Sequence, residues 1–221
     1  MIKSINSAIV IGATGLVGRA LVKQLNLAAE CKSITVVVRQ QDQAFKFYSK
    51  VNQLVLDDFL LLNDEDVQGY SHAFSCLGST LKKAGSKQNF YNIDYEINAH
   101  FADLFEATDT HYLLISAMGA NPRSKLFYNK VKGELENHIQ SLNLKCVSIL
   151  RPSLLLGERQ EQRTLEDVTQ KLYQRFSHLV PNTFKYKPVT AQQVAHTMVD
   201  AAQTQTNTFE VYDNLRIQNT K

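Results

Sequence analysis

Short apolar runs, many of them β-branched, alternate with longer stretches whose apolar positions recur every three or four residues, through about the first 150 positions. The runs at 7–11, 34–38, 53–56, 72–76, 112–115 and 146–150 predict strands. They are hydrophobic almost throughout, as parallel strands covered on both faces must be. Between them, residues 16–26 place Leu16, Ala20, Leu21 and Leu25 on one helical stripe, and residues 90–107 place Ile93, Ile97, Phe101, Leu104 and Phe105 on another. Regular strand–helix alternation builds βαβ units. The prediction is an α/β protein of the Rossmann type, doubly wound, with a mostly parallel sheet.

After Arg151-Pro152 the rhythm changes to a polar, charged stretch over 157–169 and a helix-like piece ending before Pro181. A last helix is predicted from about Thr190 and a late strand over 209–212. No repeat, low-complexity tract or flexible linker interrupts the chain. Residues 1–221 therefore read as one domain, with 151–221 supplying a small C-terminal cap on the substrate side.

Charge and cysteine content narrow the function classes. The 24 basic and 21 acidic residues nearly cancel, and no basic block is longer than Lys82-Lys83, so a nucleic-acid partner is not expected. No apolar stretch approaches the roughly 20 residues that span a bilayer, and no membrane partner is expected. Cys31, Cys76 and Cys146 are scattered and odd in number, unlike a secreted disulfide framework. Reduced thiols in a cytoplasmic setting are the expectation. The six histidines never pair at helical i, i+4 spacing, which argues against a metal site. Phe127, Tyr173 and Phe176 could face a substrate cleft or pack in the core.

Chemistry concentrates after the first strand. Gly12, Gly15 and Gly18 follow it and open the first helix, where backbone amides and the helix dipole favour a pyrophosphate. The first glycine permits a tight turn, the second admits the phosphate, and the third lets the helix approach the sheet. An ordinary glycine-bearing turn could share the pattern; the strand before, the helix after and the further βα units favour a dinucleotide.

The end of the second strand discriminates between dinucleotides. An acid there would accept hydrogen bonds from the ribose 2′-hydroxyl of NAD. This chain has Arg39-Gln40-Gln41, with an acid only at Asp42. A guanidinium suits a 2′-phosphate, so NADP(H) is the expected cofactor, unless Arg39 is merely a solvated charge. Asp57-Asp58 closes the third strand, where an acid could contact the adenine or cap the next helix. At the end of the fourth, Gly78 would let backbone pass beside the cofactor, whereas Cys76 reads as an inert strand thiol.

Ser116 follows the fifth strand, at the carboxyl edge of the sheet where ligands bind in such folds. Twelve residues later comes Tyr128, with Lys132 one helical turn beyond it on the same face and Lys130 pointing away. Reduction of a carbonyl leaves an alkoxide that needs a proton, and an unperturbed tyrosine, with pKa about 10, exchanges its proton poorly. A nearby ammonium favours the tyrosinate, and a serine hydroxyl can polarise the substrate oxygen. A surface Tyr/Lys pair would show the same spacing. Together with the serine and the glycine turn, Ser116, Tyr128 and Lys132 predict a catalytic set.

The G-x-x-G-x-x-G spacing with Thr14 inside it, Cys76-Leu77-Gly78, Asp94, Ser116, Tyr128-x-x-x-Lys132-Gly133-Glu134, Arg151-Pro152, Leu154-Leu155 and Arg159-Gln160-Glu161 resemble the atypical short-chain dehydrogenases/reductases, in the group of the Tat-interacting tumour-suppressor proteins. The resemblance implies an NADPH site lined by Thr14, Gly15, Leu16, Val17, Arg39, Leu77, Gly78, Tyr128, Lys132, Leu155 and Arg163, with Tyr128 as proton donor. Gln40 departs from the pattern, which would have a second arginine, and Ser153 replaces a glycine. An NADPH-dependent oxidoreductase acting on a small carbonyl substrate is the leading expectation. The alternative is a regulatory protein that binds NADPH and acts through protein contacts.

Overall fold

The computed structural model describes residues 4–156 and 184–220. Its main sheet has seven parallel strands in the order β3-β2-β1-β4-β5-β6-β9: β1 (Ser7–Ile11), β2 (Ser33–Val38), β3 (Val51–Val55), β4 (His72–Ser75), β5 (His111–Ile115), β6 (Cys146–Leu150) and β9 (Phe209–Tyr212). Two short strands, β7 (Leu155–Leu156) and β8 (Val189–Thr190), pair separately. Among the described residues the α-helices are α1 (Leu16–Leu27), α2 (Asp64–Val67), α3 (Leu81–Ala84), α4 (Lys87–Tyr91), α5 (Ile97–Asp103), α6 (Phe127–Ser141), α7 (Ala191–Thr204) and α8 (Asn214–Asn219). The 3-2-1-4-5-6 order is that of the Rossmann fold, extended by a seventh strand.

Helices cover both faces of the sheet, and this is why the central strands needed no polar side. Leu21 and Leu25 of α1 pack with Val194 and Met198 of α7 against Val10, Val36 and Leu113. On the opposite face, Phe101 of α5 and Leu135 and Ile139 of α6 pack with Phe105 against Ile9, Ile11 and Leu114. All of these side chains are fully buried, each worth roughly 1.5–3 kcal/mol relative to exposure.

Two departures from the sequence reading have local causes. The third strand starts at Val51, where Val51 pairs with Ile34, and its polar Asn52 is tolerated because β3 is an edge strand. The single helix expected over 90–107 is α4 and α5 joined by a π-helical turn, Asn92–Glu96. Such a turn frees a carbonyl from the regular ladder; the Asn98 side chain donates to Ile93 O at 2.8 Å, five residues back. The extra residue leaves Asp94 fully buried on the inward side.

Residues 184–220 rejoin the main sheet. Thr190 caps α7 in a reciprocal pair with Gln193, α7 packs on α1, and β9 lies beside β6 with Val147 opposite Phe209. Residues 157–183 of the expected cap lie outside the described residues.

Candidate cofactor site

The sheet order reverses between β1 and β4, and the crevice outside their carboxyl ends is where α/β folds of this topology bind ligands. Gly12 ends β1 with φ +72°, and a Cβ there would lie 2.5 Å from the Cys76 carbonyl carbon and the Leu77 nitrogen. Only glycine permits that approach. Gly15 caps α1 from an extended conformation with no side chain on the helix end, and its N–H donates to Gly12 O at 3.0 Å. No acid stands in the first turn. Thr14 and Gly15 are exposed and Leu16 is half-buried. Val17 is buried in the core, so only its amide can face a ligand.

A Cβ on Gly18 would lie 2.2 Å from Gly12 O, which explains the third glycine. Gly18→Ala is expected to lift α1 from the turn. The cost should be about 1–3 kcal/mol of stability, as for other overpacked sites, with dinucleotide affinity lost; thermal melting and a binding titration check both.

Arg39 and Gln40 stand exposed at the end of β2, and among the described residues no ion pair holds Arg39. Asp42, the nearest acid, is already occupied: it accepts from Ala44 N at 2.9 Å and pairs with Arg19. Partial burial pushes its carboxyl up, but those hydrogen bonds outweigh it and hold the group below its ordinary range. Asp57 is exposed and accepts from Asp58 N at 2.9 Å. The capping role falls to Asp58, which accepts from Leu60 N at 3.0 Å at the start of a short 3-10 helix, Phe59–Leu61.

At the end of β4, burial pushes the Cys76 thiol far up, so it stays protonated and unreactive. Leu77 is half-buried and Gly78 exposed. A Cβ on Gly78 would come within 3.2 Å of Asp94 Oδ1 and 3.5 Å of Lys132 Nζ. Those two groups form a buried ion pair at 2.7 Å, their side chains 0% and 4% exposed, and Ser79 N donates to Asp94 Oδ2 at 2.8 Å. Burial pulls the Lys132 ammonium down, yet the charges of Asp94 and Tyr128 prevail and raise it above its ordinary value. A raised amine contributes stability below its unfolded pKa and loses it as pH climbs through the folded one. The native thermal midpoint should therefore hold through about pH 9 and fall above roughly pH 10.4, more steeply than in an Asp94→Leu/Lys132→Met variant.

Tyr128 is half-buried at the start of α6, its ring 5.6 Å from that of Phe90, and it lies close enough to Lys132 to raise that amine. Lys130 points away, exposed, 3.7 Å from Glu134. A Cβ on Gly133 would lie 2.3 Å from Pro122 N, so α6 sits directly against the 119–122 loop.

Ser116 stands beyond β5 as expected, but it is buried and its hydroxyl donates to Glu136, which Arg151 also grips through Nε at 3.1 and 3.2 Å. A serine has one proton to give. Polarising a substrate oxygen would require that proton, and Glu136 already accepts it. The expected set is thus divided: Tyr128 and Lys132 act on one another, while Ser116 anchors the carboxylate of Glu136, one turn beyond Lys132 on α6.

Phe127 packs on Phe90 with ring centroids 5.8 Å apart. Leu155 is half-buried in β7, and Ser153 donates to Lys187 O at 2.8 Å, tying the chain after β6 to the segment before β8. Arg159, Gln160, Glu161, Arg163, Tyr173 and Phe176 lie outside the described residues. A cavity of about 180 Å³ is lined by Met118, Lys185, Tyr186, Asp213, Asn214 and Leu215. Among the described residues no group of three or more histidines, cysteines and acids could hold a metal ion. Sequence reasoning passed over Arg19 and Glu136 and gave Asp94 no role; the available signal for Asp94 was an acid set among the core positions of a helix.

These residues fit a dinucleotide: a glycine cradle that a Cβ would fill, an uncapped helix N-terminus and an open glycine over a buried cation. The chain belongs to the NAD(P)H-binding family, whose pattern it matches over residues 12–205. It is 34% identical over 201 residues to the protein FMP52-1, mitochondrial, of Scheffersomyces stipitis, covering 89% of this chain and 88% of that one. It is 33% identical over 174 residues to the protein HTATIP2 of Rattus norvegicus, covering 76% and 70%. The resemblance to atypical short-chain dehydrogenases/reductases is borne out. The human epimerase family protein SDR39U1, solved with NADPH, shares the fold with a TM-score of 0.64 at 13% identity, covering 95% of this chain and 77% of that one.

The cytoplasmic expectation is corrected by these relatives, since the yeast proteins at 34–36% identity carry mitochondrial names. Reduced cysteines separate reducing from oxidising compartments. They do not separate the cytoplasm from other reducing spaces.

Proposed function

We propose that the chain is an NADPH-dependent oxidoreductase of the atypical short-chain dehydrogenase/reductase type, reducing a small carbonyl compound with Tyr128 as proton donor. The observation that carries this reading is the Lys132–Asp94 pair buried beneath open Gly78, one helical turn from Tyr128. The choice of NADPH is supported by Arg39, exposed at the end of β2 with no ion pair among the described residues, and by Asp42, whose carboxylate is committed to Arg19. Gly12, Thr14, Gly15, Leu16 and the Val17 amide would cradle the pyrophosphate, with Leu77 and Gly78 beside the nicotinamide end.

When bound in this cradle, NADPH would be the source of the hydride that the carbonyl carbon receives. Tyr128 gives its phenolic proton to the carbonyl oxygen, so an alcohol leaves and a tyrosinate remains until solvent reprotonates it. Lys132 stabilises that tyrosinate through its positive charge. Asp94 keeps Lys132 protonated and oriented, and the Ser79 amide keeps Asp94 in place. Ser116 and Arg151 hold Glu136 and brace α6. The partner is a small molecule, with neither nucleic acid nor membrane involved.

The test is NADPH consumption by the native protein across a panel of small aldehydes and ketones, measured beside NADPH binding. Turnover supports the proposal. Tight binding with no turnover favours a second reading, an NADPH-responsive protein acting through protein contacts, which the commitment of the Ser116 proton to Glu136 supports.

A further inference from the structure

Gln40 leaves Arg39 alone at the end of β2, yet a 2′-phosphate dianion is best held by more than one cation. Arg19 follows the last glycine of the turn on α1, and its side chain reaches across to the loop after β2. Three contacts fix it there: Nε donates to Thr14 O at 3.0 Å, a terminal nitrogen pairs with Asp42, and the guanidinium lies 5.6 Å from the centre of the Phe45 ring. The side chain is still 46% exposed. A guanidinium has five N–H donors, and among the described residues the contacts to Thr14 and Asp42 leave several free.

The position also suits a phosphate. In folds of this topology the pyrophosphate rests at the first helix N-terminus and the adenosine ribose extends toward the end of the second strand, so a bound 2′-phosphate would fall near the two elements that Arg19 bridges. Resting on the reading of the cofactor as NADP(H), we propose that Arg19 is a second cation for the 2′-phosphate, taking the place that Gln40 leaves empty, and that Asp42 and Phe45 hold it ready. It is a specificity-determining residue for the cofactor, acting in binding and not in the chemical step.

The experiment measures NADPH and NADH affinities by fluorescence titration for the native protein, Arg19→Met and Arg19→Lys. Adenosine 2′,5′-bisphosphate and 5′-ADP serve as competing probes that carry no nicotinamide. Arg19→Met keeps the apolar stem over Phe45 and loses the charge. NADPH affinity should fall about ten- to a hundredfold, the range for a charged hydrogen bond, while NADH affinity changes less than about twofold. Arg19→Lys should fall between, since an ammonium lacks the planar fork, and the bisphosphate should show the same contrast over 5′-ADP.

An unchanged NADPH-to-NADH ratio in Arg19→Met overturns the inference, as does an equal loss for both cofactors, which would make Arg19 a brace for the loop. A native protein with no preference for NADPH defeats the cofactor reading itself. A native preference that survives Arg19→Met but vanishes in Arg39→Ala defeats only the role of Arg19.

Discussion

Asp94→Ala is expected to destabilise the protein by about 3–5 kcal/mol, the usual cost of removing one partner of a buried ion pair. Lys132 would be left 3% exposed, with its ammonium stripped of the only carboxylate bonded to it among the described residues. For a chain of this size the thermal midpoint should drop by roughly 6–20 °C. The loss comes from the orphaned charge and not from lost packing, so replacing both partners with apolar residues of similar size, Asp94→Leu with Lys132→Met, should recover most of it. A double variant as unstable as Asp94→Ala would mean that the π-helical turn depends on the acid for some other reason.

Tyr128→Phe should lower NADPH-dependent turnover about 10²- to 10⁴-fold, the range for loss of a positioned general acid. Cofactor affinity should change little. The ring stays against Phe90, and only the hydroxyl is removed. Because a transition-state interaction is lost, kcat and kcat/KM should fall together. Steady-state kinetics with a turned-over carbonyl compound measure the effect. If Tyr128→Phe retains full activity, the proton comes from elsewhere.

The strands were legible because the central ones are buried on both faces, so hydrophobic runs at 7–11 and 146–150 mark β1 and β6 to the residue. The glycine turn was equally legible, since close backbone approach at Gly12 and Gly18 leaves no room for another residue. The π-helical turn was not. Its apolar residues keep helical spacing, and the feature that sets it apart, Asp94 buried against Lys132, is a contact across the fold.

Ser116 shows the same limit from another side. Its place after β5 follows from local pattern, but the direction of its hydroxyl depends on Glu136 and Arg151, which approach from α6 and the end of β6. Arg19 carries no signal of its own in the sequence; it is Asp42 and Phe45 that hold it over the loop after β2. Partners distant in the chain assign these roles, and spacing alone carries no trace of them.

If the turn from Gly12 to Gly18 holds NADP(H), binding can be measured directly. The chain contains no tryptophan, so the fluorescence of NADPH can be followed over a weak tyrosine background. Titrating the native protein with NADPH should give a saturable rise at one cofactor per chain, with NADH binding more weakly and Gly18→Ala abolishing both. A native protein that produces no saturable change with either dinucleotide would mean that the glycine turn holds no NADP(H).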